Sequence, residues 1–245
     1  MRPLFRLLWL LVCLLGSSCA PATAEKVQFQ EFIGSGFLVG KDGTFFTSDH
    51  VVAGCKEITA GNLWVGRHKA IILKVYDGYQ LAVGRIPVQP VEVAEVAVAI
   101  VLPGEPVYAA GFYWHPVGPD GLFGQLPQFR FVEGRGRNDP VLKNGYEAID
   151  MLVAPGQSGG PVLDHRGLVV GMMQARVNRT KTLERTGVLP PPTAYITTIW
   201  HLGMVADYHD VELVDFRQKR NDPRLSAAEI ETRAQWWTLQ LRCRK

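Results

Sequence analysis

A serine set among glycines is the feature of this chain that most directly indicates chemistry. Ser158 stands in the segment APGQSGGPV of residues 154–162. Glycines adopt backbone conformations that other residues avoid, and they let backbone N–H groups come close to a reacting carbonyl. A serine hydroxyl is a poor nucleophile at neutral pH, so this segment needs a histidine that takes its proton. Without such a partner, a Gly/Ser turn before a strand explains the segment equally well.

The histidine that fits this requirement is His50. It follows two short apolar runs, GSGFLVG (34–40) and TFFTS (44–48), which a Lys-Asp-Gly turn joins. Such runs on either side of a glycine turn predict a β-hairpin, with His50 at the end of its second strand. A histidine accepts the serine proton during attack and returns it to the leaving amine. Ser158 and His50 are therefore the candidate nucleophile and general base.

These motifs, in this order, resemble the trypsin-like serine peptidases, and specifically their HtrA-like bacterial branch. The shared features are the GSGF run, the TSDHVVAG segment (47–54) and the PGQSGGP loop (155–161), and the resemblance extends from Phe32 to Val205. It implies an all-β fold of two six-stranded barrels, with the reactive groups in the cleft between them. It also implies that the N–H groups of Gly156 and Ser158 form the oxyanion hole.

The third member of the expected catalytic triad departs from the family pattern. The resemblance implies an aspartate directly before a Leu-Ala-Val run, and in this chain Gln80 precedes that run. Asp77 stands three residues earlier, across a glycine. An aspartate in this role fixes the histidine tautomer and stabilises the imidazolium, and a neutral partner costs about 10⁴ in turnover. Three alternatives stay open: Asp77 completes a triad, Gln80 orients His50 in a slow dyad, or the chain is a peptidase-shaped binding protein.

The resemblance also implies a substrate pocket. Its floor would be Leu152, six residues before the nucleophile, and one wall would be formed by Met173, Gln174 and Ala175. Because no acidic residue stands at the floor, we expect a small to medium apolar P1 side chain rather than Lys or Arg. A peptide or protein substrate would bind by adding a strand along residues 172–176. The alternative is that these residues belong to the core of the last strands.

The N-terminal segment predicts an exported protein. Residues 1–24 combine two arginines, an apolar run over residues 7–15 and small residues ending in ATA, as in a secretory signal peptide with an A-x-A cleavage site. The protein would then be periplasmic or extracellular. The LGSSC run (15–19) loosely resembles a bacterial lipobox, so a lipid anchor at Cys19 is the alternative. No other segment is long and apolar enough to be predicted as a transmembrane span.

Charge and cysteine content narrow the remaining function classes. The 26 Lys and Arg stand against 23 Asp and Glu, and removal of the two leader arginines leaves a net charge near +1. A chain with this charge balance has no excess of positive charge that would indicate nucleic-acid binding. The spacing of the six histidines does not match a metal site, and we predict neither a metal nor another cofactor. Export would permit a disulfide between Cys55 and Cys243, but the sequence does not place them within bonding distance. A buried Cys55 and a free thiol at Cys243 are the alternative. Nothing in the sequence predicts an oligomeric state.

We predict three segments: the leader (1–24), a peptidase domain (25–205), and a polar linker with an amphipathic C-terminal helix (206–245). No PDZ domain is expected. A capping box, Ser-Ala-Ala-Glu at residues 226–229, opens the helix. Its apolar face would consist of Ala227, Ile230, Ala234, Trp237 and Leu241. This face would pack on its own domain, or alternatively dock a partner or a membrane surface through its tryptophans.

Overall fold

The computed structural model of the chain describes residues 31–97, 99–115, 126–138, 146–215 and 222–245. The predicted leader, including Cys19, lies outside the described residues, as does part of the predicted linker. Within the described residues the fold is mostly β, with two sheets and few helices.

The first sheet has seven strands in the order β4-β3-β15-β1-β2-β6-β5. These strands are β1 (Glu31–Leu38), β2 (Thr44–Ser48), β3 (Glu57–Asn62), β4 (Gly66–Lys69), β5 (Ile71–Tyr76), β6 (Leu81–Arg85) and β15 (Thr238–Arg244). The sheet stays open between β4 and β5, so it forms a half-barrel rather than the closed six-stranded barrel that the resemblance implied.

The second sheet closes on itself as a barrel. Its strands are β7 (Val96–Ala97), β8 (Pro106–His115), β9 (Leu126–Gly136), β10 (Tyr146–Asp150), β11 (Pro161–Leu163), β12 (Val169–Arg176), β13 (Thr193–Thr198) and β14 (Leu213–Val214). Six of them follow one another around the barrel in the order β8-β9-β10-β13-β12-β11, and β11 pairs with β8 again. β7 pairs in parallel with both β12 and β14. The predicted two-barrel, trypsin-like fold is thus confirmed.

Four helices and one 3-10 turn connect the strands in the described part of the chain. They are α1 (Asp49–Val52), α2 (Arg179–Thr186), α3 (Ile199–Tyr208), α4 (Ala227–Trp237) and the 3-10 turn Asp77–Tyr79. Across the described ranges, none of these helices has the length and apolar character that crossing a membrane requires.

The predicted hairpin before His50 forms between β1 and β2. Gly43 in its turn has a φ of 83°, and a Cβ at this position would lie 2.1 Å from the Ile86 backbone oxygen. Only glycine meets both conditions. Every residue of β2 is buried, and β1 and β6 pair with its two edges. The strand that leads into His50 is therefore held firmly on both sides.

The C-terminal segment contributes more than the predicted helix. α4 begins at Ala227 after the predicted capping box, and its residues Ile230, Ala234 and Trp237 are buried in the main core. The helix face therefore packs on its own chain. Ala227, which was predicted to belong to the same face, is exposed because it stands in the first turn of the helix. The prediction that Leu241 continues this face was wrong, because Leu241 lies in β15, a central strand of the first sheet that pairs with β1 and β3. Its position four residues after Trp237 suits a helix, so local periodicity could not reveal the strand.

Cys55 and Cys243 form a disulfide, with their Cα atoms 5.4 Å apart across a sequence separation of 188. Cys243 lies in β15, and Cys55 follows the short helix that carries His50. The bond therefore ties the C-terminal strand to the segment next to the candidate general base.

Candidate active site

His50 lies in the first turn of α1, at the point where β2 ends. Its side chain is 51% exposed. The residue at the end of β2, Ser48, is buried, and its hydroxyl donates a hydrogen bond of 3.1 Å to the Met173 carbonyl on β12. This bond joins the two sheets next to His50, so the histidine stands at their junction.

The loop of Ser158 packs directly against the strand that leads to His50. The Ser35 N–H on β1 donates to the Ser158 carbonyl at 2.8 Å, and the Gly159 N–H donates to the Met173 carbonyl at 2.7 Å. Gly159 has a φ of 82°, and a Cβ there would lie 2.2 Å from the Ser35 oxygen and 2.9 Å from the Ser48 nitrogen. The glycine after the nucleophile thus permits the close approach that brings the Ser158 loop and the end of β2 together.

The predicted oxyanion donors, the N–H groups of Gly156 and Ser158, are unused among the residues that the structure describes. Neither the Gly156 N–H nor the Ser158 N–H donates a hydrogen bond to another group in the described parts of the chain. Gly156 has a φ of 98°, and a Cβ there would lie 2.7 Å from the Phe112 oxygen. The Gly156 carbonyl is held by the Ser35 hydroxyl at 2.8 Å. Two unused N–H groups beside a serine are what a developing oxyanion requires.

A bulge in β12 connects Ser158 to the segment before His50. The register of β12 shifts between Met173 and Ala175, which places Gln174 in the bulge. The Ser158 hydroxyl donates to the Gln174 carbonyl at 3.1 Å, and the buried Gln174 amide donates to the Gln80 carbonyl at 2.9 Å. The Asp49 N–H donates to the same Gln80 oxygen at 3.3 Å. Three segments that are far apart in sequence thus meet around Ser158 and His50.

The two candidates for the third triad position act differently in the structure. Gln80 adopts a left-handed backbone conformation with a φ of 53°, and its backbone carbonyl, rather than its side chain, makes the contacts described above. Asp77 is exposed at the start of the 3-10 turn. Over the described ranges, neither side chain makes a hydrogen bond or an ion pair with His50. Their roles as partners of His50 stay predictions.

A carboxylate that the sequence analysis did not consider lies beside His50. Asp49, the residue directly before it, places Oδ1 at 3.5 Å from the His50 Nδ1. The same oxygen accepts the His50 backbone N–H at 2.6 Å. An acidic residue directly before the candidate catalytic histidine is the signal in the sequence that points to this contact.

The family model of the trypsin-like peptidase domain matches residues 34–172, a range that includes both His50 and Ser158. The chain belongs to this family. It is similar to protein y4bJ of Sinorhizobium fredii, with 30% identity over 175 residues that cover 71% of this chain and 26% of that protein. It is also similar to a probable periplasmic serine endoprotease, DegP-like, of Hahella chejuensis, with 32% identity over 154 residues that cover 62% of this chain and 31% of that one.

The matched region spans about a third or less of the length of these two relatives. Among solved structures, the serine endoprotease from Yersinia pestis superimposes with a TM-score of 0.57 at 17% identity, over 72% of this chain and 57% of that chain. At this identity the likeness concerns the fold, and it agrees with the two-barrel architecture described above.

The predicted pocket residues of this trypsin-like domain differ in exposure. Leu152 is 51% exposed and Ala175 is also exposed, whereas Met173 and Gln174 are buried. Met173 belongs to the apolar core of the second barrel. Leu152 and Ala175 are therefore accessible at the surface, while Met173 and Gln174 are not. The pocket itself stays a prediction.

Ser35 is a further residue whose part the sequence analysis did not identify. Its hydroxyl donates to the Gly156 carbonyl and accepts the Phe112 N–H at 2.8 Å, while its carbonyl accepts the Thr47 hydroxyl at 2.6 Å. With its backbone N–H on the Ser158 carbonyl, Ser35 contacts both sides of the site. In the sequence, the GSGF run that contains Ser35 predicted a strand and gave no indication of these contacts.

Two titratable groups near the site have shifted pKa values. Burial, together with the negative charge of Asp49, raises the pKa of the Tyr146 phenol. This places Tyr146 on β10 within electrostatic reach of Asp49. Burial also raises the pKa of Glu147, the next residue along β10. Among the residues that the structure describes, no three His, Cys, Asp or Glu side chains are grouped so that they could hold a metal ion.

Proposed function

We propose that the protein is an exported serine endopeptidase that cleaves peptide bonds through an acyl-enzyme on Ser158. The observation that carries this proposal is the pair of unused N–H groups, those of Gly156 and Ser158, next to a serine that lies against the segment of His50. A turn that only connects two strands has no need of two unused N–H groups. In a serine peptidase such N–H groups stabilise the negative charge that develops on the substrate carbonyl oxygen.

In the proposed reaction His50 removes the Ser158 proton while Oγ bonds to the substrate carbonyl carbon. The carbonyl oxygen takes the electron pair and is held by the Gly156 and Ser158 N–H groups. The tetrahedral intermediate then expels the amine, which takes the proton from His50, and water repeats the sequence to release the acid. In the resting structure the Ser158 hydroxyl donates to Gln174, so it must turn toward His50 before attack.

The substrate would bind as an added strand along the last residues of β12. β11 pairs only with the first half of β12, through Met172, so the backbone of Ala175 and Arg176 on that side has no strand neighbour in the described residues. Ala175 and the exposed Leu152 line the approach to Ser158. Neither carries a charge, and we therefore propose an apolar P1 preference.

Fluorophosphonate labelling tests the proposed activity. We expect the wild-type chain to be modified once, on the peptide that contains Ser158, and Ser158→Ala to stay unmodified. His50→Ala should be labelled at least a hundredfold more slowly, because a serine without its base is a poor nucleophile. A wild-type protein that stays unlabelled at every pH, while remaining folded, would refute the proposal.

Export is the second part of the proposal. A disulfide between Cys55 and Cys243 suits an oxidising compartment such as the periplasm, and it is consistent with the predicted leader. Mass spectrometry of the mature protein distinguishes the two processing routes. A first residue of Glu25 supports a cleaved secretory signal, and an acylated Cys19 supports the lipoprotein alternative. A chain that retains Met1 in the cytoplasm contradicts both.

A non-catalytic peptide-binding protein is the second candidate function. It is favoured by one observation: the Ser158 hydroxyl donates to the Gln174 carbonyl, and no hydrogen bond joins it to His50 across the described ranges. In that case peptide would bind equally to wild type and Ser158→Ala, neither would turn over peptide, and neither would react with the phosphonate.

A further inference from the structure

We propose that Asp49 is the positioning residue that holds His50 for catalysis. The inference rests on the proposed peptidase function and names the carboxylate that serves it. A general base in a serine peptidase must carry its proton on Nδ1, so that Nε2 is free to accept the serine proton. A carboxylate next to Nδ1 favours this tautomer, and Asp49 is the acidic group that lies there.

The geometry of Asp49 is constrained by the backbone. Its Oδ1 accepts the His50 N–H at 2.6 Å, and its own N–H donates to the Gln80 carbonyl at 3.3 Å. With the oxygen held in this way, the distance of 3.5 Å to Nδ1 closes to a hydrogen bond by a small rotation of the imidazole ring. The ring has the freedom to rotate, because the His50 side chain is half exposed.

The partial burial of the Asp49 carboxylate strengthens its interaction with the His50 ring. The Asp49 side chain is only 23% exposed, which strengthens its electrostatic effect relative to a fully solvated carboxylate. The Asp49 charge also raises the pKa of the Tyr146 phenol, together with burial. The imidazole Nδ1 of His50, 3.5 Å from Oδ1, is the basic nitrogen beside this carboxylate.

No other carboxylate of the surrounding strands competes for this position. α1 packs against β1, β2, β5, β6 and β15, and Glu31 is the single acidic residue in these strands. The Glu31 carboxylate pairs with the Arg242 guanidinium of β15 at 3.7 Å. The cation nearest along β6, Arg85, pairs with Asp42 at 2.7 Å. Asp77 is exposed and makes no ion pair among the described residues.

This arrangement explains how the chain manages without an aspartate at the family position. Gln80, which stands there, contributes its backbone carbonyl to the Asp49 N–H and to the Gln174 amide. It thereby fixes the backbone from which Asp49 reaches His50. In this arrangement the carboxylate oxygen beside Nδ1 belongs to Asp49 rather than to a residue at the family position.

The first test reads the His50 tautomer and does not depend on activity. The full mature chain carrying Ser158→Ala is labelled with ¹⁵N-histidine, and the His50 signals are assigned by their loss in His50→Gln. At a pH where the ring is neutral, its nitrogen chemical shifts should indicate a proton on Nδ1. Adding Asp49→Ala should move the proton population to Nε2, and adding Asp77→Ala, the matched control, should leave it unchanged.

The second test measures fluorophosphonate labelling rates. We expect Asp49→Ala to slow labelling of Ser158 by about 10- to 100-fold, less than the loss known for a fully buried aspartate because solvent screens this site. Asp49→Asn keeps an oxygen for the His50 N–H but removes the charge, so a rate at least tenfold below wild type in this variant reflects the carboxylate rather than a damaged loop. Asp77→Ala should stay within twofold of wild type.

The outcomes separate this inference from the proposed function. If Asp49→Ala keeps both the wild-type tautomer and the wild-type rate, or if Asp77→Ala changes them as much, Asp49 does not position His50. If wild type does not react with the phosphonate at all, the peptidase proposal fails, and the tautomer measurement in the Ser158→Ala chain still decides whether Asp49 holds the ring.

Discussion

The disulfide between Cys55 and Cys243 makes the most quantitative prediction about stability. The perturbation is the double variant Cys55→Ala/Cys243→Ala, which removes the bond without leaving a free thiol. In this variant β15 still pairs with β1 and β3, so we expect it to fold into the same structure.

The magnitude follows from the length of chain that the bond closes. The two cysteines are separated by 188 residues, so the bond encloses most of the described chain. In the chain-entropy account, closing a loop of this length removes enough unfolded-state entropy to stabilise the fold by about 5 kcal/mol. For a domain of this size that corresponds to a decrease in Tm of about 10–20 °C when the bond is lost.

Thermal unfolding followed by circular dichroism provides the assay. Wild type and the double variant are compared, each with and without a reductant that acts on buried disulfides after unfolding. Reductant should lower the midpoint of wild type toward that of the variant and should leave the variant unchanged. Midpoints that agree within about 2 °C would refute the reasoning, and so would an equal effect of reductant on both proteins.

Three further predictions concern the site and its surroundings. Gly159→Ala should have a lower unfolding midpoint and a phosphonate labelling rate at least a hundredfold lower, because its Cβ would lie 2.2 Å from the Ser35 oxygen. Gly104→Ala is the control: Gly104 also has a positive φ, but no atom lies within 4 Å of its Cβ position, and the labelling rate should stay at the wild-type value. Ser35→Ala should slow phosphonate labelling about tenfold, because its hydroxyl bridges two partly buried backbone groups, and an unchanged rate in a folded variant would contradict this role. Glu147→Gln should raise the denaturation midpoint at neutral pH. Burial raises the pKa of Glu147 above its usual value of 4.5, so the wild-type fold loses stability as pH rises through this raised pKa. The difference in midpoint between variant and wild type should vanish below about pH 4, where the carboxyl is protonated in both the folded and the unfolded chain. Glu212→Gln, at an exposed position, is the matched control for the substitution itself.

Local signals carried the predictions that agree with the structure. The β1–β2 hairpin follows from a glycine that needs a positive φ, and the start of α4 follows from a capping box of four neighbouring residues. The motifs around His50 and Ser158 identified the family, and with it the two-barrel fold. Each of these signals is complete within a few residues, so it can be read without knowing what lies elsewhere in the chain.

The features that the sequence analysis missed depend on contacts between distant segments. Leu241 satisfies both a helical and a strand pattern, and its pairing with Gly34 across the first sheet decides between them. The bulge at Gln174 directs the Gln174 amide to the Gln80 carbonyl, 94 residues earlier in the chain. No local sequence pattern predicts such a contact.

Short motifs require particular backbone conformations. The sequence itself therefore determined the candidate pair of Ser158 and His50, the glycines of the PGQSGGP loop and the two-barrel fold. Only the tertiary structure decided that the Gly156 and Ser158 N–H groups have no partner in the described chain, that β15 completes the first sheet, and that Asp49 lies beside His50. The physical reason is that a hydrogen-bond acceptor or a neighbouring charge acts through space, over a few ångströms, whatever its distance along the chain.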